Sequence, residues 1–433
     1  MNHPATSKLQ TAFLVGLGTL FLLFCVLLGC GNIGNQSRVI YEEGEDFMAD
    51  ALLTEEYARG MNPYAYDPDE AHVPFKDANY LPIAYGLFNW MDAISGRDIT
   101  TPRAMAVAIV LTAISLSLLL TLCACLLQGT RAMRIGFALA LMVSGTALFS
   151  FERGNIILLS AALCAFFLLF YRSENKGLRE LSFVALAVAA ALKIYPALYG
   201  VLLLGEKRWK EAVRLAIYGV AACFVPFFFV EGGFACLPLL FENFGAHKAY
   251  YNRFIYPRFG FRLFASMTYD VHWSNAFLED QLWKLGDKMF RFMPAVDTLL
   301  AGGCALTALL DKEDWKRAAA VGAVIVNYPI NSGAYAALYL FPAAALYLSC
   351  DTLKKRDWIY LALFLVIFSP LQIELPYTLL GLTEPVMINT SGILRNLSAY
   401  ALYLIFAVQG FQTVIRLLRS HGRREKKTAL KQA

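Results

Sequence analysis

Runs of about 20 apolar residues, the length a helix needs to cross roughly 30 Å of hydrocarbon, recur from one end of this chain to the other. They occupy residues 13–30, 104–127, 133–151, 155–171, 213–230, 358–371 and 397–417. A water-soluble core cannot absorb so many, and 58% hydrophobic against 16% charged residues leaves too little polar surface to cover one. None of the runs alternates as barrel strands do, and lipid offers backbone groups no partner outside their own segment. An all-α, polytopic membrane protein follows, with about 11–13 helical membrane segments. The first run, which follows Lys8, reads as a retained anchor rather than a cleaved leader.

Charge assigns the faces. Residues 31–103 carry thirteen acidic and five basic side chains, so this loop is placed outside. Basic connections mark the cytoplasmic face: Arg131 with Arg134, Arg172 with Lys176 and Arg179, Lys207 with Arg208 and Lys210, Lys316 with Arg317, Lys354 to Arg356, and the tail 419–433. Both termini then lie in the cytoplasm of a plasma-membrane protein. A second external loop, residues 231–292, is rich in aromatics and arginine and suits amphipathic helices at the interface. The whole chain, 1–433, reads as one membrane domain with two inserted outer loops and no internal repeat.

This topology meets a difficulty where two basic loops bracket only residues 181–205, since one straight span would put Lys207 to Lys210 outside. Lys193-Ile194-Tyr195-Pro196 interrupts that run with a charge and a proline, which predicts a helical hairpin with its apex toward the outer leaflet. Between Arg317 and Lys354, Asn327-Tyr328-Pro329-Ile330-Asn331-Ser332-Gly333 predicts a second. Broken helices with polar apices belong where they wall a cavity, so both apices are expected to line one site near the outer face.

Several side chains there can carry chemistry. If the stretch from Asp46 is helical, Asp46 and Asp50 stand one turn apart on one face, where one carboxylate raises the pKa of the other and suits it to general-base work; the plain alternative is a solvated acidic loop. Arg153 and Asn155, in Arg153-Gly154-Asn155, either snorkel at the hydrocarbon border or hold a phosphate. Lys193 sits inside an apolar run, where ionisable groups mark a site, a pathway or a pairing. Asn331, Ser332 and Tyr335 line the second apex, as site residues or as hydrogen-bond glue between helices. The nine cysteines lie mostly within apolar runs and read as small core residues. No spacing supports a metal site, no cofactor is called for, and nothing points to nucleic acid.

Together these stretches resemble a known family. Glu45 to Asp50, Gly60 to Tyr64, Asn79-Tyr80-Leu81-Pro82, Arg153-Gly154-Asn155, Ala190 to Pro196 and Ser332-Gly333-Ala334-Tyr335 are similar to motifs of glycosyltransferase family 87. These are GT-C-fold membrane enzymes that include mycobacterial mannosyltransferases. The stretch Ala-Leu-Lys-Ile-Tyr-Pro ending at Pro196 is the most specific of them. The usual double proline is Leu81-Pro82 here, and the late histidines of some members are absent. The resemblance implies a polyprenyl-phosphate-linked sugar donor, an aspartate base in the first external loop, and hexose transfer, mannose-like and inverting, to a lipid or glycan acceptor on the outer face. Aspartate followed by an aromatic fits Asp46 with Phe47; a branch with Phe-Met before its aspartate points to Asp50. Arg153 and Lys193 would then meet the departing phosphate, and Tyr195 and Tyr335 the sugar or prenyl group. A transporter or flippase of a lipid-linked or small polar substrate is the rival reading, because broken helices with buried charge also build translocation sites.

Overall fold

The computed structural model describes residues 4–40, 47–52, 62–65, 79–96, 98, 100–251, 276–329, 333–350, 357–377 and 386–432. In chain order the helices are α1 (Pro4–Gly29), α2 (Pro82–Ser95), α3 (Pro102–Leu126), α4 (Arg131–Met142), α5 (Gly145–Glu152), α6 (Ile157–Phe170), α7 (Lys176–Leu192), α8 (Val201–Gly205) and α9 (Trp209–Phe224). They continue as α10 (Cys236–Tyr251), α11 (Ala276–Leu310), α12 (Asp314–Asn327), α13 (Phe341–Leu348), α14 (Trp358–Phe368) and α15 (Thr390–Gln432). Among the described residues, five helical stretches are long and apolar enough to cross a membrane: Lys8–Gly29, Pro102–Leu126, Trp209–Phe229, Arg291–Leu310 and Thr390–Ser420. Shorter apolar helices, Ile157–Phe170, Tyr195–Gly205, Ala334–Leu348 and Trp358–Phe368, pack among them. The chain is an all-α polytopic membrane protein.

Local chemistry sets the boundaries. Thr101 caps α3 by accepting from the Ala104 amide, with Pro102 in the first turn, and Asn175 caps α7 by accepting from Leu178. The apolar run at 133–151 forms two helices, α4 and α5, bent by 56°. Ser144 causes the bend: its hydroxyl accepts from the Ala147 amide and starts a new helix. Gly145 then lets the Ser369 carbonyl approach so closely that a Cβ would stand 2.6 Å from it. The bend swings α5 toward the site.

Both expected interruptions are present. After α7, Lys193 is extended (φ −146°, ψ 116°) and Tyr195–Gly200 winds as a 3-10 helix into α8. After α12, Ala334–Leu340 winds the same way into α13. The two 3-10 segments share a pattern the sequence reading missed when it found no repeat: Tyr-Pro-Ala-Leu-Tyr at 195–199 and Tyr-Ala-Ala-Leu-Tyr at 335–339. The second tyrosine of each ties the hairpins together. Tyr199 donates to the Tyr339 carbonyl (2.8 Å), Tyr339 to Ser160 (2.9 Å), and Ser160 to the Ala189 carbonyl (3.1 Å), so these buried hydroxyls are satisfied in an apolar interior.

The ends of the bundle differ in chemistry. At the C-terminal end of α6, Arg172 bridges Glu206 and Asp314, and Arg317 reaches Glu206 as well. Arg208 joins Glu206 to Glu211. A cavity of about 210 Å³ opens beside Tyr171, Arg172, Asp314 and Arg317. Burial alone would raise the Glu206 carboxyl, but donors on Arg172, Tyr171 and Arg317 outweigh it and hold the group at about 2. A carboxyl depressed in the folded state stabilises that state fully above its unfolded pKa, and the gain disappears as pH falls toward the folded value. Glu206→Gln is therefore expected to cost on the order of 2 kcal/mol at neutral pH. It should also flatten the loss of stability between pH 4.5 and about 2, as read by thermal unfolding in detergent.

At the opposite end, about 21 Å away along α6, both large loops contribute to one apolar cluster. Met48, Ala51, Tyr64, Tyr85 and Phe88 from the first pack with Cys236 and Leu240 from the second, over Ile156, Leu192 and Phe227. An antiparallel ribbon absent from the sequence reading, β1 (Glu374–Tyr377) with β2 (Val386–Asn389), lies between α14 and α15. Arg38 donates to Glu374 (2.8 Å) and the Gln372 amide to Gln36 (2.9 Å), fastening the segments flanking the ribbon to those after α1.

Candidate active site

Arg153-Gly154-Asn155 forms the corner between α5 and α6, and each residue has a distinct task. The Asn155 amide donates to the Ser150 carbonyl (3.2 Å) and the Gly154 amide to Phe151 (3.0 Å). That pair of bonds is the Schellman ending of a helix, which places a left-handed residue at the glycine position; Gly154 has φ +64°. The Asn155 side-chain carbonyl then accepts from the Ile157 amide (2.9 Å) and starts α6. The first loop straps onto this corner, with the Met48 amide donating to Glu152 (2.8 Å) and the Asp50 amide to Arg153 (3.0 Å). These bonds satisfy helix-end carbonyls that would otherwise be orphaned.

The strap delivers Asp50. Its Oδ1 accepts from Arg153 Nη2 (2.6 Å) and Nε (3.2 Å), and its Oδ2 from Asn155 Nδ2 (2.6 Å). Three donors on one carboxylate fix its orientation. The side chain remains 21% exposed, within reach of a substrate. The helix that carries Asp50 begins at Ala49, and Met48 before it is left-handed (φ +61°). Asp46, Asn331 and Ser332 lie outside the described residues.

Lys193 approaches from the first hairpin. Its ammonium donates to the Tyr80 hydroxyl (3.0 Å) and sits 4.4 Å from the centre of that ring. Tyr80 is held by its backbone: its carbonyl accepts from Tyr64 Oη (2.9 Å). From the second hairpin comes Tyr335, stacked parallel on Phe149 at 6.2 Å and within electrostatic reach of Lys193, Asp50, Tyr80 and Arg153. Tyr195, two residues past Lys193, is part-buried against the main core. Lys193 after the first interruption and Tyr335 after the second are thus brought within electrostatic reach of each other. Arg153 and Asn155 both grip Asp50. A small cavity of about 40 Å³, lined in part by Ala51, Thr112, Gly154 and Asn155, backs the corner.

Tyr80, singled out in the sequence only within Asn79-Tyr80-Leu81-Pro82, enters the candidate site through its contact with Lys193. Among the described residues no group of three His, Cys, Asp or Glu side chains could hold a metal ion. Chemically the arrangement pairs a held carboxylate, suited to take a proton, with a separate ammonium and two phenols, suited to an anion and a sugar.

The corner depends on Gly154. A Cβ there would stand 2.8 Å from Met48 Sδ and 2.9 Å from Ala51 Cβ, on a backbone that L residues rarely adopt. Gly154→Ala is expected to cost about 1–3 kcal/mol and, by displacing the Asp50 strap, up to about a hundredfold in turnover. Thermal unfolding beside a turnover assay separates the two losses.

The family model of glycosyltransferase family 87 matches residues 99–370, more than half of the chain. Arg153, Asn155, Lys193 and Tyr335 fall inside the match, and Asp50 and Tyr80 ahead of it. No curated protein and no solved structure matches the chain.

Proposed function

Because the chain belongs to glycosyltransferase family 87, we propose that it moves a hexose, mannose-like, from a polyprenyl-phosphate donor to a lipid or glycan acceptor at the non-cytoplasmic face of the plasma membrane. The observation that carries this reading is the convergence of Asp50, Arg153, Lys193, Tyr80 and Tyr335 at one end of the bundle, opposite the basic connections that the charge rule places in the cytoplasm. A single membrane domain spanning residues 1–433 does the work, with the base carried by the external loop 31–103, a second external loop at 231–292 and the tail 419–433 in the cytoplasm.

In the proposed reaction the acceptor hydroxyl attacks the anomeric carbon from the face opposite the phosphate. Its oxygen forms the new C–O bond, its proton passes to an Asp50 carboxylate oxygen, and the old C–O bond breaks with its electron pair going to the phosphate. The products are the inverted glycoside and polyprenyl phosphate, and protonated Asp50 returns its proton to water. Phosphate is a good leaving group, so no strong general acid is needed, and Lys193 stabilises the growing negative charge. Arg153 and Asn155 hold the base. Tyr335 and Tyr195 bound the sugar and prenyl groups.

The test is the anomeric configuration of the product by NMR, run with the wild type and Asp46→Asn. Inversion in both supports a displacement with Asp50 as base. Retention would point to a covalent intermediate, and loss of transfer in Asp46→Asn would move the base to Asp46.

A further inference from the structure

We propose that Arg395 forms a second anion subsite, which holds the negatively charged head group of the acceptor lipid. The inference deepens the glycosyltransferase reading and rests on it.

Arg395 lies in the second turn of α15, inside a membrane-spanning stretch, where a charged group is costly and marks a site or a pairing. The other part-buried or buried arginines among the described residues, Arg153, Arg179, Arg208 and Arg317, each stand within 4 Å of a carboxylate. Among the described residues, Arg395 has no carboxylate in that range and donates to neutral acceptors, the Ser369 carbonyl (3.1 Å) and Gln372 Oε1 (2.8 Å). A guanidinium has five N–H donors, so the charge and part of the fork are uncompensated by the described residues.

The position of the guanidinium gives it a task. Nη1 stands 3.3 Å from where a Gly145 Cβ would be. Gly145, Phe149 and Arg153 follow at four-residue intervals and share one face of α5. Along that face lie Arg395 at Gly145, Tyr335 against Phe149, and Asp50 on Arg153. One turn beyond Arg395, the Ala399 carbonyl accepts from Asn327 (3.2 Å), which sets Arg395 beside the second hairpin as well.

The spacing from Gly145 to Arg153 is about 12 Å. The donor phosphate is bonded to the carbon under attack and must stay next to Asp50 and Lys193, so it cannot reach Arg395. The acceptor can, since only its hydroxyl must meet Asp50 while the remainder of its head group extends along α5. A purely structural role, capping the Ser369 carbonyl at the end of α14, would leave ligand binding indifferent to the side chain.

Calorimetric titration of the purified protein in a neutral maltoside detergent with dodecyl phosphate separates these roles. A binding event about tenfold to a hundredfold weaker in Arg395→Gln, yet kept in Lys193→Gln, is expected. Arg395→Lys, which keeps the charge without the fork, should bind at intermediate strength and serves if the glutamine variant does not fold. Unchanged binding in the Arg395 variants, or loss only in Lys193→Gln, overturns the subsite.

In a second arm, radiolabelled product made by the wild type from total membrane lipid is freed of unreacted donor by mild acid and passed over an anion exchanger. Retention supports an anionic acceptor, and flow-through overturns that assignment. Absence of any labelled product counts against the transfer reading itself, and the titration, which needs no turnover, still decides the subsite.

Discussion

Asp50→Asn is expected to reduce sugar transfer by about 10²- to 10⁴-fold, the range a positioned general base supplies, while the protein still inserts and folds. Asparagine keeps the shape of aspartate and can still accept from Arg153 through its carbonyl oxygen; its NH2 loses the bond from Asn155, and it cannot take a proton from a hydroxyl. The loss should therefore appear in turnover, with donor affinity little changed. Asp50→Glu keeps the carboxylate on a longer arm, so the strap at Met48–Asp50, fixed by its two backbone bonds to α5, would present it about 1 Å out of place; a smaller loss is expected. Initial rates over a range of donor and acceptor concentrations, with melting temperatures alongside, check both variants. A tenfold fall shared equally by every substitution at Asp50 would indicate a structural role only.

Lys193→Gln is expected to lower turnover by about 10²- to 10³-fold. The reason lies in how charge changes during the reaction. A polyprenyl-phosphate sugar is a phosphodiester with one negative charge, and the departing polyprenyl phosphate gains a second. A fixed ammonium therefore binds the transition state more strongly than the ground state, which is the condition for raising kcat. The effect on KM should be small beside that on kcat. Lys193→Arg retains the charge and should recover part of the rate, though its broad planar head cannot reproduce a point contact with the Tyr80 hydroxyl. Tyr80→Phe removes that hydroxyl alone; a lesser effect in this variant would separate orientation of Lys193 from its charge. Equal loss in Lys193→Gln and Lys193→Arg would contradict an electrostatic role.

Much of this architecture is legible in the sequence where physics leaves few choices. Long apolar runs must become helices, a proline beside a lysine must break one, and clusters of basic residues sort to one side of a membrane. The breaks at Lys193 and after Asn327 are found where those constraints placed them. What escaped depends on close tertiary contacts. The bend at Ser144 lies in an unbroken apolar run, and only the approach of Ser369 to Gly145 discloses why a glycine follows the serine. The ribbon at Glu374–Tyr377 and Val386–Asn389 contains Pro376, which argues against a strand in sequence.

The site was read in part. Arg153 and Asn155 were picked out as polar residues at a helix border, yet their sequence could not disclose that a loop some hundred residues earlier would supply their partner. Asp50 and Asp46 were both open as the base in the sequence; the contacts of Asp50 with Arg153 and Asn155 depend on a tertiary approach that spacing does not disclose. Arg395 stands just ahead of the apolar run at 397–417, so only the fold discloses that it is turned onto Ser369 and Gln372. Tyr199 and Tyr339 occupy matching places in the two hairpins, and their shared pattern is too short to register as a repeat until both segments are seen to wind alike.

The donor is the point on which the account turns. Purified wild-type protein would be offered one radiolabelled hexose in two forms, as a polyprenyl phosphate ester and as a nucleotide diphosphate ester, with total membrane lipid as acceptor and Asp50→Asn in parallel. The account predicts transfer by the wild type from the polyprenyl phosphate alone and a near-complete loss in the variant. Transfer from the nucleotide sugar, or undiminished transfer by Asp50→Asn, would contradict it.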